Sequence, residues 1–84
     1  MPKYFFHVYG DAITHDEEGL ELADLGAALR EAQRCARALA CEEITEGHLN
    51  LRHRVEVEDQ DGRRVLTLPL SSAFVVKANP LALE

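Results

Sequence analysis

Basic residues are scarce in this sequence, and the scarcity restricts the partners we expect. Nine lysine and arginine residues stand against fifteen aspartate and glutamate residues, giving a net charge of -6 and a pI near 5.1. A protein that binds a phosphate backbone needs clustered cations that displace counterions. Binding to an anionic membrane surface needs clustered cations as well. We therefore expect neither nucleic acid nor membrane as a partner of this chain.

Long apolar runs are lacking too. No segment of the sequence approaches the roughly 20 consecutive apolar residues that a transmembrane helix requires. The chain does not open with a basic segment followed by an apolar one, which is the pattern of a secretion signal. The sequence thus predicts a cytoplasmic protein.

Cysteine is represented by Cys35 and Cys41 alone. The two residues are six positions apart in a stretch typical of a helix, which separates them by about 9 Å along its axis. The Cα atoms of a disulfide lie within about 7 Å of each other. We therefore expect no cross-link between these two cysteines while the helix holds.

The residues that are present suffice for one small folded domain. Eighty-four residues leave no room for a second domain. Hydrophobic residues make up 46% and charged residues 29%, as in ordinary globular proteins rather than disordered ones. We place a single domain at residues 1–72 and a C-terminal tail at residues 73–84. The tail begins with an apolar run, which predicts a short strand, a helical turn or a contact surface.

The first half of the chain predicts two strands and a helix. Residues 3–9 are aromatic and β-branched, and their two apolar faces favour a central strand. Residues 12–14 can pair back with it. Behind Asp24, a good N-terminal cap, apolar residues recur at helical spacing until residues 41–45. The large apolar side chains of this stripe are Leu25, Leu29 and Leu39.

The second half predicts a hairpin. Residues 52–58 alternate between valines and charged side chains, and residues 65–70 alternate again after the turn at residues 59–62. The order strand, strand, helix, strand, strand is typical of an α+β fold. We predict an antiparallel four-stranded sheet with one long amphipathic helix packed on one face.

One helix covers only one face of such a sheet, so the second face needs an explanation. It can be a solvated face whose aromatic rings are shielded by the stems of long side chains. It can also be the interface of a homodimer or of a complex with another protein, since aromatic residues often anchor interfaces. Exposed sheet edges favour the same outcome by strand addition. The candidate interface residues are Phe5, His7, Tyr9, Val65 and Thr67.

An acidic loop containing Asp16, Glu17 and Glu18 precedes the helix. Such a cluster can attract a divalent cation or a basic protein, and it can equally be a solvated loop that keeps a small domain soluble. We treat these three residues as a secondary candidate surface.

Motifs of catalytic, cofactor or metal sites are not legible in the sequence. His48 and His53 are five positions apart, and His7 and His15 flank a turn, and neither spacing is a recognised zinc pattern. We find no nucleophile motif and no glycine loop that cradles phosphate. We therefore predict a non-enzymatic protein without catalytic, cofactor or metal-ligating residues.

Several runs of residues resemble a known family. They are YFFHV at residues 4–8, DEEG at residues 16–19, AxxEA at residues 28–32 and DxDG at residues 59–62. This pattern is similar to that of a family of short bacterial proteins known only as a domain of unknown function. The resemblance covers about residues 2–72. It implies a compact cytoplasmic bacterial protein and transfers no site residue.

Two weaker resemblances supply alternatives. The aromatic strand, polar hairpin and AxxEA helix look like the partial ribonuclease-H-like domain of HicB-type antitoxins, which implies binding to a small basic protein. Pro2 in front of a strand looks like the N-terminal-proline tautomerases, although here a long connection separates strand and helix. The function we predict is a protein–protein interaction or self-association module, with antitoxin-like binding second and an enzyme last.

Overall fold

The computed structural model describes residues 1–77, which form one sheet and one long helix. The elements along the chain are β1 (Lys3–Tyr9), β2 (Ile13–Thr14), β3 (Leu20–Glu21), α1 (Leu25–Thr45), β4 (Arg54–Asp59), β5 (Arg64–Pro69) and a 3₁₀ turn (Leu70–Ser72). The predicted α+β class, with an antiparallel sheet and one helix, is confirmed. Within this described part, no helix has the length and apolar character needed to cross a membrane.

β1 is a central strand with neighbours on both sides. On one side it pairs with β4 along its length, from Tyr4 opposite Asp59 to Tyr9 opposite Arg54. On the other side its C-terminal end pairs with β2 and its N-terminal end with β3. The β4–β5 hairpin completes the sheet. The sheet has five strands rather than the predicted four, because the short extended segment at β3 pairs with β1.

Both ends of α1 are fixed by caps. The Asp24 carboxylate accepts a hydrogen bond from the Ala27 N–H at 2.8 Å, as the sequence predicted. Beyond the other end, Gly47 has a φ of 92°, in the left-handed region that favours glycine. The Gly47 N–H donates to the carbonyl of Ile44 and so closes the last turn.

The helix contacts the sheet through a stripe of small residues. The buried members of this stripe are Ala28, Ala32, Ala36 and Ala40. Alanine has no long side chain, so it allows a close approach of helix and sheet. Leu25 and Leu29 were predicted in the same buried stripe, but they are 46% and 37% exposed. The alanines fill the contact, and the two longer side chains lie at its rim.

The core lies between α1 and the helix-facing side of the sheet. Its buried side chains from the strands are Tyr4, Phe6, Val55, Val57 and Leu68. Leu70, which follows β5, is fully buried, and its N–H donates to the His53 carbonyl at 2.8 Å. The 3₁₀ turn therefore extends the hairpin and completes the core at that end.

Beyond the 3₁₀ turn the chain passes to α1. Ala73 is buried, and its carbonyl accepts a hydrogen bond from Arg37 Nε at 2.7 Å. Phe74 is half-buried and packs against the core. Residues 78–84 of the predicted tail lie outside the described residues.

Candidate interaction surface

The predicted interface residues of β1 lie together on the helix-free face of the sheet. Phe5 and Tyr9 are half-buried, and His7 is only 9% exposed. Arg54, opposite Tyr9 in the register, places its guanidinium carbon 4.3 Å from the centre of the Tyr9 ring. This is a cation–π contact. The backbone of Gly19, at a φ of 73°, lies so close to the Phe5 ring that a Cβ there would meet it at 2.9 Å. Each aromatic side chain of this face thus has neighbours of its own chain against it.

A buried carboxylate occupies the centre of the same face. Glu56 is 8% exposed, and it accepts hydrogen bonds from Arg54 Nε at 2.6 Å and from Arg64 Nη1 at 3.4 Å. The Arg54 guanidinium, together with Arg64, holds the pKa of the Glu56 carboxyl below its usual range, although burial raises it. The sequence indicated only that Glu56 faces away from the helix. Its charge is balanced within the chain.

Asp16 of the acidic loop is part of the fold. Its Oδ2 accepts a hydrogen bond from the Phe6 N–H at 3.1 Å, and its Oδ1 accepts from the N–H groups of Glu18 and Gly19. Phe6 lies in the middle of β1, between the stretches that pair with β2 and β3. The Asp16 carboxylate therefore replaces a missing strand on this side of β1. Burial raises the pKa of Asp16, but the hydrogen bonds from Gly19, Phe6 and Glu18 outweigh burial and lower it.

His7 joins this loop to the sheet. The Asp16 N–H donates to His7 Nδ1 at 3.1 Å, so the ring hydrogen is on Nε2. His7 Nε2 then donates to Glu58 Oε1 at 3.1 Å. The His15 ring stands edge-on to the His7 ring, with 5.2 Å between the ring centres. Glu17 and Glu18, the other two predicted acidic residues, are exposed.

Replacing Asp16 with alanine is expected to lower the free energy of unfolding by about 2 kcal/mol, because three backbone N–H groups lose a charged acceptor. Urea denaturation followed by the helix signal measures the change. The matched control is Glu17→Ala, which removes an exposed carboxylate from the same loop. Equal stability of the two variants would show that the Asp16 hydrogen bonds make no net contribution to the free energy of unfolding.

The remaining candidate residues lie on β5, at the edge of the sheet. Among residues 1–77, β5 pairs with β4 alone. Thr67 is opposite Glu56 and is exposed. Val65 lies at the register shift opposite Val57 and Glu58, and it packs against the core although the sequence predicted it on the helix-free face. A bulge inserts an extra residue and changes the direction of its side chain. Because β5 pairs with β4 alone among residues 1–77, its outer side presents unpaired backbone groups.

A groove of about 320 Å³ lies beside α1, between the helix and Phe74. It is lined by Arg37, Ala40, Cys41, Ile44, Thr45 and Phe74. We call it the tail groove. Most of the lining is apolar, and Ile44 at its rim is 60% exposed. The tail groove is open apolar surface among the described residues.

A second polar cluster, which the sequence pattern did not predict, lies at the C-terminal end of α1. Glu43 is 3% exposed and accepts hydrogen bonds from the Asn50 N–H at 2.9 Å and from the ring nitrogen Nδ1 of His53. His53 Nε2 accepts from Asn50 Nδ2 and lies 3.5 Å from a carboxylate oxygen of Asp11. Burial raises the pKa of Glu43, but the Asn50 and His53 hydrogen bonds outweigh burial and lower it. The only signal in the sequence was a glutamate on the apolar stripe of the helix.

Neither the histidines nor the cysteines form a metal site in the described part of the chain. Among residues 1–77, no group of three or more histidine, cysteine, aspartate or glutamate side chains is placed to hold a metal ion. Cys35 and Cys41 are free thiols. Burial raises the pKa of the Cys35 thiol, which makes it a poor nucleophile.

Comparison with known proteins gives a family but no activity. The model of a domain of unknown function, DUF6894, matches residues 3–71. The chain therefore belongs to this family, in agreement with its resemblance to a family without an established activity. No curated protein and no solved structure matches the chain.

Proposed function

We propose that this domain is a non-enzymatic self-association module in which two copies pair through the free edge of β5. The observation that carries the proposal is the edge itself. β5 has one neighbour among the described residues, and residues 65–68 carry no charge that would repel a second strand. An edge strand of this kind favours pairing with another chain.

Leu66 and Leu68 flank Thr67 symmetrically in β5, which favours a second copy over a different partner. When two β5 strands pair antiparallel about a two-fold axis, Thr67 lies opposite Thr67 and Leu66 lies opposite Leu68. Leu66 and Leu68 then lie on the helix side in both copies, where Leu68 already belongs to the core. The two threonines lie on the helix-free side and form a favourable cross-strand pair.

The same arrangement leaves the predicted interface residues of β1 outside the contact between the two copies. Pairing at β5 makes one sheet from two, so that the helix-free faces of the two copies become continuous. Phe5, His7 and Tyr9 then remain on the surface of the assembly, each packed against its own neighbours. Their role as an interface stays a prediction of the sequence.

The mass of the protein in solution, measured by light scattering at several micromolar concentrations, tests the proposal. We expect the mass of two chains of 9.4 kDa. Thr67→Lys places two like charges opposite each other at the axis and is expected to raise the dimer dissociation constant at least about tenfold. Thr67 is exposed, so the fold of the chain is kept.

The control is Gln60→Lys, which adds the same charge at an exposed position in the β4–β5 turn. It is expected to leave the mass unchanged. A wild-type mass of one chain, or equal masses for the two lysine variants, would overturn the proposal.

A double substitution distinguishes an interface at the β5 edge from an interface on the helix-free face. Phe5→Ala combined with Tyr9→Ala removes the phenyl and phenol rings of that face, and the helix signal reports whether the variant is folded. We expect it to remain dimeric. A folded double variant that becomes monomeric, while Thr67→Lys stays dimeric, would place the interface on the helix-free face and contradict pairing at β5.

A further inference from the structure

Phe74, five residues after the end of β5, lines the tail groove, so the groove lies where the chain passes from β5 to α1. From the end of β5 the chain forms the 3₁₀ turn and reaches α1 at once, where Arg37 binds the Ala73 carbonyl. Arg37 and Phe74 both line the groove. A second copy that pairs at β5 therefore approaches this flank of α1.

Strand pairing alone is too small an interface for a stable dimer. The free edge offers at most five residues a side, from Val65 to Pro69, and Pro69 has no N–H to donate, whereas a stable interface uses roughly 20–30 residues a side. A dimer that pairs at β5 therefore needs further apolar contact on the same side of the domain. The tail groove is the apolar surface that lies there.

The two residues that follow Phe74 in the sequence are exposed to solvent. Val75 and Val76 come directly after Phe74 and are 79% and 74% exposed. They do not fill the groove of their own chain, whose lining includes Phe74 but neither valine. Apolar residues with this exposure gain free energy when a partner covers them.

We infer that, in the dimer, Val75 and Val76 of each copy pack into the tail groove of the other copy. This inference rests on the proposed pairing at β5. A two-fold axis at Thr67 lies only two residues from the end of β5, so the two tails start close to the axis on the helix side. The two insertions are equivalent by symmetry, and each adds an apolar contact that strand pairing lacks.

Removal of the two valines tests the inference by affinity. Val75→Ser combined with Val76→Ser alters exposed side chains only, and we expect the dimer dissociation constant to rise at least about tenfold. The control is Ile13→Ser, which removes an exposed β-branched side chain from β2, on the opposite edge of the sheet. It is expected to leave the dissociation constant unchanged. Equal constants for the double variant and the wild type would overturn the inference.

A cross-link tests which chain supplies the valines. Cys41 lines the tail groove and is exposed. In a chain carrying Cys35→Ala and Val76→Cys, oxidised glutathione is expected to form a disulfide between Cys41 and the new thiol of the other copy. A non-reducing gel then shows a covalent dimer. A disulfide within one chain, seen as a monomer band without free thiol, would overturn the inference.

Two further variants identify the bond and separate the two proposals. Adding Cys41→Ser to the cross-linking variant must abolish the covalent dimer. If a covalent dimer persists, its disulfide joins the two cysteines introduced at position 76, so the tails contact each other and not the groove. Suppose that Thr67→Lys weakens the dimer, whereas Val75→Ser with Val76→Ser does not weaken it and the Cys41 disulfide does not form between copies. The tail contact is then wrong, and pairing at β5 stands. If Thr67→Lys has no effect, pairing at β5 fails, and the tail contact fails with it.

Discussion

Replacing Glu43 with alanine is expected to lower the free energy of unfolding by about 3 kcal/mol at neutral pH. The Glu43 carboxylate is almost fully buried and is held by the Asn50 N–H and the His53 ring. Its removal leaves both groups without their acceptor and detaches the end of α1 from the loop that leads to β4. Urea denaturation at one fixed protein concentration measures the loss, since the proposed self-association would make the stability depend on concentration.

Glu42→Ala is the matched control, because it removes an exposed carboxylate from the adjacent position of the same helix. We expect its stability to lie within about 0.5 kcal/mol of the wild type. If Glu43→Ala is no less stable than Glu42→Ala, the buried cluster does not hold the loop.

The stability difference between wild type and Glu43→Ala is also expected to depend on pH. The folded protein holds the pKa of Glu43 below its ordinary value of 4.5. A carboxyl whose pKa is lowered by folding stabilises the protein above its unfolded pKa, and this contribution is lost as the pH falls through the folded value. The difference in free energy of unfolding between the two proteins must therefore be largest near neutral pH and become smaller below pH 4.5. A difference that grows on acidification contradicts the assigned charge of Glu43.

Replacing Ala36 with leucine is expected to cost about 3 kcal/mol, as an enlarged side chain in a filled contact forces the helix away from the sheet. Ala36 has no exposed surface and lies in the middle of the alanine stripe. The loss appears in urea denaturation as a lower midpoint with an unchanged slope.

The control for this substitution is Ala38→Leu, on the exposed side of the same helix. Leucine and alanine have similar helix propensities, so the control is expected to change stability by less than about 0.5 kcal/mol. Equal effects at the two positions would mean that the stripe is not close-packed.

The alternation of apolar residues was enough to predict the main strands, the hairpin and the face of the sheet that α1 covers. Asp24 was predictable as a cap for a local reason, because its acceptor role depends only on the next few residues. The buried alanines were predictable as well, since their spacing repeats every turn. The prediction that Leu25 and Leu29 are buried was wrong. Periodicity gives the direction of a side chain but not how far the sheet extends beneath it.

The polar contacts were not predictable, since they depend on residues brought together by the fold. Asp16 accepts from Phe6, ten positions earlier, and His53 meets Glu43 across the whole loop after α1. Charge and composition indicated an acidic surface loop, whereas the structure uses Asp16 to complete β1. The same limit applies to Glu56, whose burial depends on arginines in β4 and β5.

The Asp16 loop also determines how far an assembly of these domains can grow. At that edge β1 is shielded by two short strands and by a side chain, so no continuous row of backbone groups is offered there. Among residues 1–77, β5 is the longest edge strand, and in the proposed dimer the two outer edges of the joined sheet are the shielded ones. The proposed assembly would therefore end at two chains, because the carboxylate that holds the loop also shields the edge at which a third chain would extend the sheet.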